Sequence, residues 1–207
     1  MDRILIFDFD GVLADSLRPM LDYAGQVCQE LGYPCTPTQK DLEILDRMEF
    51  SEFGRQLGIP EEKIEAFVSR NFELFSLRED PLRITPGMDA VIRQLSQLSI
   101  LVVITGNSRK VVRNFFDAYE LSDEFQIILS AEDDGNRVEK ILKVKSLNVG
   151  SNREFYMIGD AVSDIRAARE AGIKSIAVSW GHQSLAKLTT ENPDFLVERP
   201  QDLLTLF

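Results

Sequence analysis

The sequence predicts an α/β protein: a Rossmann-like parallel sheet covered by helices on both faces, plus a small all-helical insertion. Three observations carry that prediction. Short continuous apolar runs alternate with amphipathic stretches from residue 85 onward, and unbroken apolar strands belong to sheets buried on both faces. The first such run, residues 3–9, stands alone, because nothing between residues 15 and 84 reads as a strand. The runs also end in polar or acidic residues, which is where open parallel sheets build their sites.

The elements follow in order. Ile4, Leu5, Ile6 and Phe7 form the first buried strand. Residues 16–31 form a helix, with Leu17, Met20, Leu21, Ala24, Val27, Cys28 and Leu31 on one stripe, Asp15 or Ser16 as N-cap, and Gly32 as the stop. Helical patterns continue over about 37–47, 50–58 and 61–78; Ile64, Phe67, Val68, Asn71, Phe72 and Phe75 form the inner stripe of the last. After Pro81 come a helix with Pro86 in its first turn, then strands at 99–105, 125–131, 154–160 and 174–180 with a helix after each of the first three. A short strand at 194–200 and a C-terminal helix close the chain. Residues 1–14 and 85–207 are therefore expected to form the core, and 15–84 the insertion.

Composition bounds the function. The 207 residues are 44% hydrophobic and 28% charged, with a net charge of −11, enough chain for one sizeable core. An acidic surface does not draw nucleic acid or anionic membrane by bulk charge, so neither is expected as a partner. No apolar run reaches the ~18 residues of a membrane helix, and the start lacks the pattern of a signal peptide. Two cysteines make no disulfide framework; Cys28 falls on an apolar stripe and reads as buried. A cytoplasmic setting is the expectation.

Three strand ends and one helix start carry chemistry. The first ends in Asp8-Phe9-Asp10; along an extended chain both carboxylates point one way and Phe9 the other. The second ends in Thr105-Gly106-Asn107-Ser108. The fourth ends in Gly159-Asp160, with Asp164 four residues on; a helix starting near Asp160 would bring both to one face. Between them, Arg137 and Lys140 share a face at a helix start. Like charges ~4 Å apart at an effective dielectric of ~20 cost roughly 4 kcal/mol per pair, a cost that a cation turns into a binding site. Hard carboxylate oxygens suit Mg²⁺, which also takes phosphate oxygens. Each feature alone is ordinary: Asp-x-Asp is common turn chemistry, Thr-Gly a common turn, and a helix-start Lys commonly solvated. Their joint placement at the carboxyl ends of different strands is what points to a site.

In "DFDGVLADS" (8–16), "VITGNS" (103–108), the Lys of "RVEKILKVKSL" and "MIGDAVSDIRAAREAGI" (157–173), the chain resembles the haloacid dehalogenase-like hydrolase superfamily, in its phosphoglycolate-phosphatase-like subgroup with a helical cap after the first strand. The tail from "SIAVSWGHQSLAKL" onward resembles the same subgroup. The resemblance implies a Mg²⁺-dependent phosphatase acting on a small phosphorylated metabolite, as a monomer or homodimer. Asp8 would be the nucleophile, forming an aspartyl-phosphate. Asp10 would be the acid–base group, and its presence points to phosphate esters. Thr105 would bond a phosphoryl oxygen, with Gly106 and Asn107 beside it. Asp8, the Asp10 carbonyl and Asp160 would hold Mg²⁺, with Asp164 binding it directly or through one of its waters. Lys140 would neutralise the phosphoryl charge; the Pro that often follows the family's Lys is absent, and Arg137 is the alternative, Lys140 being favoured as a compact ammonium. Val12 stands where Thr is more usual.

Three further residues are weighed singly. His182, the only histidine, reads as a loop residue near a strand end, and Trp180 as packing. Met48, Phe50 and Phe53 read as insertion core. Arg47, in the insertion, is either an exposed helix-end residue or a fork for a substrate carboxylate such as that of phosphoglycolate. The alternatives to a phosphatase are a phosphomutase of the same family and, from a different class, a receiver-like or non-catalytic phosphate-accepting module.

Overall fold

A computed structural model describes residues 3–147 and 153–207. β1 (Arg3–Phe7) runs into a tight turn and a two-residue strand, β2 (Ala14–Asp15). Four helices follow: α1 (Leu17–Glu30), α2 (Gln39–Glu43), α3 (Phe50–Gln56) and α4 (Glu61–Ser76). A second two-residue strand, β3 (Arg83–Ile84), pairs antiparallel with β2, Ala14 opposite Ile84 and Asp15 opposite Arg83. The chain then alternates through α5 (Met88–Leu98), β4 (Ile100–Ile104), α6 (Arg109–Ala118), β5 (Phe125–Leu129), α7 (Arg137–Ser146), β6 (Glu154–Gly159), α8 (Val162–Glu170) and β7 (Lys174–Val178). A short α9 (Leu185–Thr189), β8 (Phe195–Val197) and a 3₁₀ helix, Pro200–Thr205, complete it. No helix among the described residues is long and apolar enough to cross a membrane.

Six strands form one parallel sheet in the order β5-β4-β1-β6-β7-β8. Side-chain alternation explains why both faces are covered. Leu5 and Phe7 of β1 face one cluster, with Val91 and Ile92 of α5 and Val112, Phe115 and Phe116 of α6. Ile4 and Ile6 face the other, with Ile141 and Val144 of α7 and Ala167 and Ala168 of α8. Strand order reverses at β1: its neighbours are β4 on one side and β6 on the other. Open α/β sheets bind ligands outside such a reversal, and the ends of β1, β4 and β6 carry Asp8, Thr105 and Asp160.

The helices between β2 and β3 bury a third cluster of their own, including Ala24, Val27, Cys28, Phe53, Ile64 and Phe67. Here the structure corrects the sequence reading in three places. The stretch is flanked by strand residues, β2 and β3, where none was expected. The helix expected over 37–47 is confined to Gln39–Glu43; the carbonyl of Leu45 instead accepts from Gln183 Nε2 at 2.7 Å. The C-terminal helix is 3₁₀, begun by Pro200.

Candidate active site

The site begins where β1 ends. The Asp8 N–H still donates to Ile158 O of β6 at 2.9 Å, extending the ladder by one residue. The Phe9 carbonyl then accepts from both Leu13 and Ala14 N–H at 3.0 Å, folding the chain back. Gly11 sits at φ +76°, the left-handed region that glycine adopts without strain. Phe9 is buried edge-on against Phe115, ring centroids 5.0 Å apart. Asp8 and Asp10 both line the cavity on the opposite side.

Each carboxylate has a distinct environment. Asp8 Oδ1 accepts from the Phe9 N–H at 2.8 Å, and Oδ2 lies 3.0 Å from Arg137 Nη1. Burial pushes the Asp8 pKa up and Asp160 adds repulsion; Arg137 opposes both. Asp10 accepts from Asn107 Nδ2 at 3.1 and 3.3 Å. Burial, then the Asp8 charge, raises its pKa to about 6, with His182, Asn107 and Ser16 acting the other way. Thr105, at the end of β4, is 2% exposed. Its hydroxyl oxygen accepts from the Asn107 N–H at 2.9 Å, so its own hydrogen is available to an acceptor in the cavity.

On the other side, the end of β6 delivers Asp160. A side chain at Gly11 or Gly181 would collide with its carboxylate, so both glycines are needed to seat it. His182 completes that seat: its backbone N–H donates to Asp160 Oδ2 at 2.6 Å and its Nδ1 lies 2.8 Å from the same oxygen. Burial disfavours the imidazolium, but Asp160, Asp10 and Asp8 outweigh it and hold the His182 pKa at about 9. His182 Nε2 is 3.4 Å from the buried Ser16 hydroxyl. Ser16 stands at the N-cap of α1 without capping it through its side chain.

The expected helix start is corrected. α8 begins at Val162, after Asp160, so the two carboxylates do not share its first turn. Asp164 instead caps the helix, accepting from the Ala161 N–H at 3.1 Å, and its other oxygen bonds Arg137. Burial is the main cause that lifts its pKa, to about 8. Oxygens of Asp8, Asp160 and Asp164 nevertheless converge, all within 4.8 Å of one another. Three buried hard-oxygen donors facing one point fit a small divalent cation such as Mg²⁺.

The preference for Lys140 over Arg137 is also corrected by geometry. Both start α7, but Arg137 is the cation that touches Asp8 and Asp164 and lines the cavity. Lys140 is buried with its Nζ donating to Ser130 O at 2.6 Å. Gly106 and Asn107 line the cavity beside Thr105. Arg47 does not reach it: its guanidinium lies 3.0 Å from Glu52 and 3.8 Å from Glu49, and its side chain is 62% exposed. Met48, Phe50 and Phe53, expected as insertion core, do pack with that cluster, Phe53 at 2% exposure, and all three also line the cavity. His182 lies in a loop as expected, but it also seats Asp160; its signal is its place four residues past the end of β7 at Val178. Trp180 packs as expected, donating from Nε1 to Val12 O at 3.2 Å.

Above this floor lies a cavity of about 310 Å³, roofed by α1, α3, α4 and the loop before α3. An α/β sheet with converging carboxylates at its reversal point, covered by a helical insertion, defines a hydrolase-type site. The chain belongs to the haloacid dehalogenase-like hydrolase family, whose description matches residues 5–178. It is 25% identical over 203 residues to a phosphoglycolate phosphatase of Synechococcus elongatus, covering 98% of this chain and 95% of that one. It is 25% identical to a phosphoglycolate phosphatase of Aquifex aeolicus, covering 99% and 96%. Among solved structures, a haloacid dehalogenase-like family protein of Streptococcus pneumoniae shares the fold with a TM-score of 0.82 at 21% identity, over 99% of this chain and 98% of that one.

Proposed function

We propose that this protein is a Mg²⁺-dependent phosphatase that hydrolyses a small phosphate monoester through an aspartyl-phosphate. The observation that carries the reading is the pairing of two differently tuned carboxylates, Asp8 and Asp10, at the floor of one cavity. Family membership and the phosphoglycolate phosphatase relatives support it.

In this mechanism an Asp8 oxygen attacks phosphorus, and the bond from phosphorus to the ester oxygen breaks. Phe9 N–H and Arg137 hold the Asp8 carboxylate in place for the attack. Asp10 gives its proton to the departing alkoxide; a pKa of about 6 leaves it able to donate and to accept near neutrality. Asn107 keeps the Asp10 carboxyl oriented, and the Thr105 hydroxyl donates to a phosphoryl oxygen. Asp10 then takes a proton from water, whose oxygen attacks phosphorus; the phosphorus–Asp8 bond breaks, and phosphate leaves. Asp8, Asp160 and Asp164, with the Asp10 carbonyl, would hold Mg²⁺. When bound, the ion supplies positive charge to the phosphoryl oxygens and relieves repulsion among the carboxylates.

A panel of phosphomonoesters assayed for phosphate release with Mg²⁺ and with EDTA tests the reading. Release that needs Mg²⁺ and disappears in Asp8→Asn is expected. Rapid acid quench with a phosphorus-labelled ester should leave label on wild-type protein and none on Asp8→Asn. Undiminished release in EDTA, or equal labelling of both proteins, would refute it.

A further inference from the structure

We infer that the cavity selects phosphate monoesters whose alcohol is uncharged and largely apolar, and disfavours those with a carboxylate at the far end. The inference rests on the phosphatase reading and concerns the half of the substrate remote from phosphorus.

The cavity is divided by chemistry. Its floor carries the charged groups already described, and its roof is apolar: Met20, Met48, Phe50, Val68, Phe72 and Phe75 all face it. Phe50 is the centre of that roof, edge-on to Phe72 at 5.3 Å and tilted against Phe75 at 6.0 Å. These are mutually packed rings, so the surface is formed before a ligand arrives. Among the described residues, the only polar side chains from the insertion on the cavity wall are Ser51 and Glu49. The Ser51 hydroxyl donates to Glu49 Oε2 at 3.4 Å. Arg47, next in sequence to the lining residue Met48, is turned outward onto Glu52. At the floor, Arg137 is engaged by Asp8 and Asp164, and His182 by Asp160.

A phosphoryl group seated between Asp8 and Thr105 directs the rest of its ester toward the roof. A carboxylate placed there, as in phosphoglycolate, would leave water for hydrocarbon and face the negative Glu49. Among the described residues no insertion cation lines the roof to pair with it, and burial of a charge without a counter-charge is strongly disfavoured. An alkyl or aryl group would instead gain contact with the rings and methionines, whose flexible thioethers adapt to varied shapes.

Kinetics on n-alkyl phosphates from ethyl to pentyl test this, with isobutyl phosphate against phosphoglycolate as a matched pair of similar shape. Each added methylene should raise kcat/KM about threefold to fourfold, and isobutyl phosphate should exceed phosphoglycolate by about tenfold or more. Glu49→Lys, at an exposed position, should shift the isobutyl-to-phosphoglycolate ratio toward phosphoglycolate by about threefold. Phe72→Ala, with its fold checked by circular dichroism, should flatten the alkyl series. A flat series in the wild-type protein, or phosphoglycolate as the better of the pair, would overturn the inference while leaving the phosphatase reading standing. Absence of phosphate release from every ester, p-nitrophenyl phosphate included, would instead defeat the phosphatase reading. Calorimetry with pentylphosphonate and phosphonoacetate then decides the cavity's preference without turnover: tighter pentylphosphonate supports it, and tighter phosphonoacetate overturns it.

Discussion

Arg137 Nη1 lies 3.0 Å from Asp8 Oδ2, and the same nitrogen bonds Asp164. One guanidinium therefore bridges two of the three carboxylates that converge at the candidate metal centre. Removing one partner of a buried ion pair leaves the other charge uncompensated. Arg137→Met should destabilise the metal-free protein by about 1–3 kcal/mol. Mg²⁺ should restore more stability to the variant than it adds to wild type, since it takes over the same carboxylates. Thermal unfolding in EDTA and in Mg²⁺ measures both. Equal Mg²⁺ increments would mean that guanidinium and cation do not share these oxygens.

Asp8→Asn should remove turnover while leaving the fold, because an amide keeps the shape but not the nucleophile. Asp10→Asn should lower kcat by about 10²–10⁴-fold for alkyl esters. The loss should be smaller for p-nitrophenyl phosphate, whose leaving group needs little protonation. Steady-state rates on both ester types distinguish this from a general loss of structure, which would lower both equally.

The buried cluster makes metal-free stability fall with rising pH. Asp10 and Asp164 move up from 3.8 to about 6 and about 8, and His182 from 6.5 to about 9. A group with a raised folded pKa contributes fully below its unfolded value and loses that contribution as pH climbs through the folded one. Asp133 and Asp194 are shifted the other way, so their contribution is lost in acid. Tm in EDTA should therefore peak near pH ~5 and decline toward pH ~9. Mg²⁺ needs deprotonated ligands, so its stabilisation should grow over the same range. A Tm in EDTA that rises steadily from pH 5 to 9 would contradict the assignment.

Gln183 ties the insertion to the sheet. Its Oε1 accepts from the Val162 N–H at 2.8 Å, and its Nε2 donates to Leu45 O at 2.7 Å. Gln183→Leu would strand a buried donor and a carbonyl, at a cost of about 1–3 kcal/mol for each group left unsatisfied. Chemical denaturation should register that loss. Limited proteolysis should cut the insertion faster than in wild type; an unchanged cleavage pattern would show that other contacts hold it.

Arg47→Ala should change activity on any ester by less than about twofold and stability by less than about 1 kcal/mol, as befits an exposed ion pair. A tenfold loss confined to carboxylate-bearing substrates would show that Arg47 turns inward during catalysis.

The sheet was legible because its signal is local. Strands such as 100–104 are unbroken apolar runs, and the polar residues that follow them mark the carboxyl edge where Asp8, Thr105 and Asp160 lie. The β2–β3 ribbon was not, because two-residue strands have no periodicity to read. Arg137 and Lys140 sit three apart on one helix face, so spacing cannot rank them; the choice depends on which side chain the Ser130 carbonyl captures. Arg47 is ambiguous because its partner Glu52 lies only five residues on, and an outward pair leaves the same pattern as an inward fork. Met48, Phe50 and Phe72 show the deepest limit. A helical apolar stripe reads the same whether it fills a core or roofs a cavity, and only the approach of a second layer separates the two.

The β2–β3 ribbon has a mechanical consequence. Both chain crossings into the insertion are laced together by backbone pairing at Ala14–Ile84 and Asp15–Arg83, and Thr85 fastens the strip further through its N–H to Leu13 O and its hydroxyl to Val12 O. Two independent tethers would let the insertion swivel, slide and tilt. A laced strip resists torsion and sideways shear and leaves flexure across its width as the soft coordinate. Displacement along that coordinate would change the headroom above Asp8 while keeping the aromatic roof in lateral registration with it.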